Sequence, residues 1–246
     1  MGIIEEQEPI LIRYTFTMED GFKEVFNIRI DPVTLGLVAQ RPKVLPEWTE
    51  LSFHKCHHCP LIKETHCPLA TSLVHIVKRF NRLISYDKIH LDVETKERFI
   101  SQFTTAQKGI SALMGLVIAS SGCPHTWFLR PMARYHLPLA SREETIYRAT
   151  SMYLMAQYFL HKHGRPVDLD FKGLSKLYQN LEDVNLSVAE RLNVASKTDS
   201  TINALILLDV YNKTLPIAIE SSLEQLEYLF EFFINKKDSD ILNATG

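Results

Sequence analysis

Three of the four cysteines in the chain fall within twelve residues, in Phe53-His54-Lys55-Cys56-His57-His58-Cys59-Pro60-Leu61-Ile62-Lys63-Glu64-Thr65-His66-Cys67-Pro68, and the fourth is Cys123 in Ser121-Gly122-Cys123-Pro124-His125. A Cys-x2-Cys pair turns two thiolates to the same side of a tight turn, where they grip one ion. A third thiolate from the same loop and a fourth from a distant helix end complete a four-coordinate set. The pattern therefore predicts a metal centre held by Cys56, Cys59, Cys67 and Cys123, which would pin the early loop to the segment before Cys123. Zinc is the expected occupant, with His57, His58, His66 and His125 available as substitute ligands. Cys59, Cys67 and Cys123 are each followed by proline, a context recurrent in iron–sulfur ligation, so a 4Fe–4S cluster is the alternative. Unliganded, the same cysteines would be small buried hydrophobes.

Competing motifs fit less well. A thioredoxin-type dithiol needs a strand before the first cysteine and a helix just after it, and Pro60 and the third cysteine spoil that match. Haem attachment needs histidine where Pro60 stands. No glycine-rich nucleotide loop, His-Glu-x2-His or Gly-x-Ser-x-Gly occurs.

A second cluster follows at once: Cys123, His125, Arg130, Arg134, His136 and Arg142, interrupted by Pro124, Pro131 and Pro138. Guanidiniums beside a metal ligand can receive an anion bidentately, which predicts that the segment Cys123 to Arg142 walls a pocket with His125, Arg130 and Arg134 as binding residues. The alternative is an irregular surface loop whose arginines pair with Glu143 and Glu144.

The elements that must position these residues can be read from periodicity. Ile10, Ile12, Tyr14 and Phe16 alternate with polar positions, as do Phe22, Phe26, Ile28 and Ile30 after Glu19-Asp20-Gly21, which predicts a β-hairpin. A further strand is expected over 86–94 and a helix just past Cys67-Pro68. A long helix is expected from about Lys96 to Ser121, apolar nearly all round between Ile110 and Ala119, with Gly109, Ala112 and Gly115 permitting close approach. Ser141-Arg142-Glu143-Glu144 is a capping box for a helix that Gly164-Arg165-Pro166 stops. Further helices are expected over 171–195, 199–214 and 216–236. Strands confined to the first hundred residues and helices thereafter predict an α+β fold: a small N-terminal antiparallel β-sheet packed on a mainly α-helical bundle. A β-rich part with the cysteine loop (1–95) and a helical bundle (96–246) are read as one continuous globular unit.

Composition bounds the function. With 46% hydrophobic and 23% charged residues the chain is that of a globular protein, and 27 Lys+Arg against 29 Asp+Glu leave no positive field for general nucleic-acid binding. The acidic start, Met1 to Glu8, lacks a secretory pattern, and the longest apolar stretch, Ile110 to Ala119, is about half a membrane span. A cytoplasmic setting, where thiols stay reduced, is expected. The reading is a metal-binding cytoplasmic protein, a binding or regulatory module whose partner is another protein or a small anionic ligand. The alternative is a metalloenzyme or iron–sulfur redox or sensor protein. A closed set of four thiolates implies a structural centre, whereas three protein ligands and a water imply catalysis.

Overall fold

The computed structural model describes residues 8–38 and 44–235, with side chains described outside 210–222. The N-terminal segment 1–7 and residues 39–43, with Pro42, lie outside the described residues.

The hairpin forms as its alternation requires. Strands β1 (Ile10–Met18) and β2 (Lys23–Ile30) pair antiparallel with Tyr14 opposite Phe26 and Ile12 opposite Ile28. Gly21, at φ +82°, supplies the left-handed bend that a side chain would resist. Ile12, Tyr14 and Phe16 are buried on one face, so register and burial agree.

Strand β3 (Lys88–Glu94) pairs with β1, and a fourth strand, β4 (Phe99–Thr105), completes an antiparallel sheet in the order β2-β1-β3-β4. Here the expected helix from Lys96 is corrected: the chain first turns at Thr95–Arg98, where the Thr95 hydroxyl accepts from the Glu97 and Arg98 amides, and runs back as an edge strand. The physical reason is the demand of β3 for a partner, met by a segment rich in phenylalanine and β-branched residues. Helix α2 (Ala106–Ala119) starts only after it.

Helix α1 (Pro68–Phe80) and α2 lie on the apolar face of the sheet. Gly109 makes that approach possible, because a Cβ there would stand 2.8 Å from Ile89 Cδ1 and 3.0 Å from Phe16 Cε1. After a 3-10 segment (Pro124–Leu129) and the short α3 (Arg130–Arg134) comes α4 (Arg142–Lys162). Its capping box is complete: Ser141 Oγ accepts from the Glu144 amide at 3.1 Å and Glu144 Oε2 accepts from the Ser141 amide at 2.7 Å. Helix α5 (Lys172–Ala195) follows. Helix α6 (Ser200–Leu226) then runs unbroken through Pro216, where two helices were expected. Losing one backbone donor there does not end the helix, which the amides on either side continue. A 3-10 turn (Glu227–Phe230) and α7 (Glu231–Asn235) end the described chain.

The architecture is α+β, a four-stranded antiparallel sheet against helices. One core cluster joins the sheet residues Tyr14, Phe16 and Leu91 to Phe80 of α1, Leu113 of α2 and Leu192 of α5. Among the described residues no single helix is long and apolar enough to cross a membrane, and apolar α2 is buried within the fold.

Candidate metal centre

Local chain geometry delivers the four cysteines from three places. Cys56 and Cys59 flank a tight turn closed by a hydrogen bond from the Cys59 amide to the Cys56 carbonyl at 3.1 Å. Cys67 is the N-cap of α1 with Pro68 at the first helical position, and its carbonyl accepts from the Thr71 amide at 2.9 Å. Cys123 caps the Pro124–Leu129 segment in the same manner. Gly122, at φ +88°, turns the chain out of α2, and a Cβ there would meet Pro68 Cβ at 3.9 Å, so the two Cys-Pro steps are neighbours.

The thiols share one neighbourhood. Burial pushes Cys123 up to about 12, and the charges of Cys67, Cys56 and Cys59 each oppose its ionisation further. Cys56 is also raised, mainly by burial, with Cys67, Cys59 and Asp183 adding to the shift and a hydrogen bond from Ser187 opposing it. Cys123 is buried, while Cys56 and Cys67 are partly buried against the main core. All four are free thiols, and among the described residues no three Cys, His, Asp or Glu side chains stand in ready ligating geometry.

The walls are built by segments far apart in sequence. Residues 49–51 and 65–67 form a short ladder: the Leu51 amide donates to the Thr65 carbonyl at 2.9 Å and the Cys67 amide to the Thr49 carbonyl at 2.8 Å. Thr49 Oγ1 donates to the Pro46 carbonyl at 2.7 Å, so His66 Nδ1, 2.9 Å away, is the donor to that hydroxyl, leaving His66 Nε2 with its lone pair. His125 Nε2 donates to the His58 carbonyl at 3.1 Å, and its ring lies 4.1 Å from that of His58. Burial lowers the pKa of His125, keeping it neutral at physiological pH.

One face of α5 covers the loop, and periodicity alone did not point to it. Asp183 Oδ2 lies 2.7 Å from His58 Nδ1 without the alignment of a hydrogen bond, and both Asp183 Oδ2 and His58 Nε2 are buried with no hydrogen-bond partner. One turn on, Ser187 donates to the His54 carbonyl and meets Cys56. Glu190 pairs with His54 at 2.8 Å at the surface. Arg191, only 1% exposed, donates Nη1 to the carbonyls of Trp48 and Glu50, both at 2.8 Å, and its Nε has no partner. Asp183, Ser187 and Arg191 repeat every four residues, so they form one polar stripe beside the buried apolar residues of the helix. That interruption of an apolar stripe was the available signal.

The other residues singled out in sequence are placed apart. Arg130 lies over the Trp127 ring at 5.1 Å with its Nε buried and unpartnered, and Arg134 lies over Tyr135 at 5.2 Å. His125 stands with the cysteine loop. His57 is exposed.

The donor types suit a soft metal ion, while among the described residues no three of them stand together as a group that could hold one. Four soft thiols, the imidazoles beside them and orphaned buried polar atoms are groups that a bound cation would satisfy. Cys56, Cys59, Cys67 and Cys123 would hold it, with Asp183 and the histidines around them, and buried Arg191 would offset part of the negative charge that four thiolates bring.

No curated protein and no solved structure shows significant similarity to the chain. The profile of the family described as Domain of unknown function (DUF6901) matches residues 12–231, and the chain belongs to that family.

Proposed function

We propose that this chain is a cytoplasmic metal-binding protein whose Cys56, Cys59, Cys67 and Cys123 hold one zinc ion as a structural cross-link. The centre would fasten the 52–66 loop to the starts of α1 and of the Pro124–Leu129 segment within a binding or regulatory module. The observation that supports this reading is that Cys67, Cys56 and Cys59 all bear electrostatically on buried Cys123, although the four come from three separate segments of the chain. The α5 stripe supports a closed centre, because Ser187 and Arg191 bind the backbone of the loop and of the stretch before it. When bound, zinc supplies a redox-inert four-coordinate joint. The three Cys-Pro steps favour a second reading, a 4Fe–4S cluster with a redox or sensing role.

Metal analysis of the full chain purified without oxygen tests the proposal. Expected are colourless protein with about one zinc per chain and loss of that zinc in Cys123→Ser, since four-cysteine sites hold one ion each. Metal-free protein would contradict the reading. Brown protein with iron and acid-labile sulfide would replace zinc by the cluster.

A further inference from the structure

A cavity of about 360 Å³ opens between α2, α3, α4, α5 and α6, within the size range of small-molecule sites. It is independent of the cysteine centre. Its floor is apolar, formed by Ala112, Gly115 and Leu116 of α2 against Met132, Leu207 and Leu208. Its polar lining holds two cations, Lys108 and Arg148, beside neutral side chains such as Gln102, Thr104 and Ser111. Lys108 stands exposed at the lining with no ion-pair partner among the described residues. Arg148 lines it from α4 and is held by two Nη2 hydrogen bonds, to the Met132 carbonyl at 3.0 Å and the Tyr135 carbonyl at 2.9 Å. Its other nitrogens have no hydrogen-bond partner among the described residues.

Two further residues set the character of the inner wall. His136 lines the cavity and is hydrogen-bonded to Tyr14, a fully buried phenol. Among the described residues Tyr14 has no other hydrogen-bond partner, so its hydroxyl proton is satisfied by donating to His136 Nε2, which leaves the remaining ring hydrogen on Nδ1. Tyr178 of α5 contributes a second buried phenol, held protonated by burial. Among the described residues no aspartate or glutamate lines the cavity. The carboxylate that acts on Arg148 is Glu144, already committed to the α4 cap.

An apolar floor beneath cations and hydrogen-bond donors, with no lining carboxylate, matches one class of ligand. We propose that this cavity binds a small organic carboxylate, its apolar body between α2 and α6 and its carboxylate between Lys108 and Arg148. The seat is amphipathic, so neither half of such a ligand alone fills it.

Titration calorimetry of the full chain with sodium octanoate tests this, with 1-octanol and inorganic phosphate as probes of each half. Octanoate is expected to bind one per chain, and octanol and phosphate on the order of tenfold more weakly, the scale of a charge-assisted contact. Lys108→Gln, at an exposed position, is expected to weaken octanoate about three- to tenfold while leaving octanol unchanged. Ala112→Phe, which fills the floor, is expected to abolish octanoate binding while retaining the native circular dichroism spectrum. Absence of octanoate binding, equal affinity for octanol, or an unchanged affinity in Lys108→Gln would each overturn the proposal, as would full binding by a folded Ala112→Phe. Should Ala112→Phe not fold, Lys108→Gln decides.

Discussion

Replacing Arg191 by methionine removes the cation that ties α5 to the cysteine loop while keeping an unbranched apolar stem of similar reach. The side chain is 1% exposed, and Nη1 makes two short hydrogen bonds, to the carbonyls of Trp48 and Glu50 at 2.8 Å, while the third, Nη2 to Leu51, is long at 3.4 Å. Hydrogen bonds from a charged donor contribute about 1.5–3 kcal/mol each, so the two short ones are worth roughly 3–6 kcal/mol. Relief of the desolvation cost of a buried cation offsets about 1–2 kcal/mol of this, and leaves a net loss of about 2–4 kcal/mol. Urea unfolding of the full chain, followed by circular dichroism, should show the midpoint falling with little change in slope, because the surface exposed on unfolding is nearly the same. Arg191→Lys should recover only part of the loss, since one ammonium cannot span carbonyls of both Trp48 and Glu50 as a planar fork does. Metal affinity should fall with stability in the methionine variant, because the 48–51 stretch carries the ladder to Cys67. A methionine variant within about 0.5 kcal/mol of the parent, the scale of ordinary surface changes, would refute the role assigned to this clamp.

Gly109→Ala should cost about 1–3 kcal/mol by overpacking against Ile89 and Phe16, where a Cβ would come within 2.8 and 3.0 Å. Gly115→Ala, whose Cβ would stand 3.5 Å from Leu208 Cδ2, should instead be neutral or stabilising by up to about 1 kcal/mol; thermal melts of both variants check the contrast. Burial lowers His136 to about 3, below the ordinary value of 6.5, so the unfolded chain takes up the proton first as pH falls. Stability from this group is therefore complete above about pH 6.5 and is lost towards pH 3, by up to about 1.4 kcal/mol per unit, and His136→Phe should flatten that slope in denaturant titrations between pH 6.5 and 4.5.

Much of the fold was legible because local signals and burial agree. The period-two face of Ile12, Tyr14 and Phe16 is the core face, and Ser141 with Glu144 closes the cap that their spacing foretold. The misread strand at Phe99–Thr105 shows where local pattern loses to tertiary demand: it is an edge strand whose pairing with β3 no single-segment periodicity reveals. Pro216 misled in the same way, since a helix flanked by long neighbours can lose one backbone bond and continue.

The site divides along the same line. The cysteines advertise themselves by type and spacing, whereas Asp183, Ser187 and Arg191 are common residues whose meaning lies in the loop they face. Tyr14 and His136 meet across 122 positions, and Arg148 joins them from a third element, so the cavity is a product of topology alone. Arginines adjacent to Cys123 in sequence, Arg130 and Arg134, rest on Trp127 and Tyr135 rather than lining it. Proximity along the chain is a poor guide where prolines turn it every few residues.

X-ray absorption at the metal edge of the full chain, purified without oxygen, bears most directly on the proposed centre. Four sulfur neighbours at about 2.3 Å from a single zinc are expected if Cys56, Cys59, Cys67 and Cys123 all ligate, with no second metal in the scattering. A shell dominated by nitrogen or oxygen at about 2.0–2.1 Å, or protein that carries no metal at all, would contradict it.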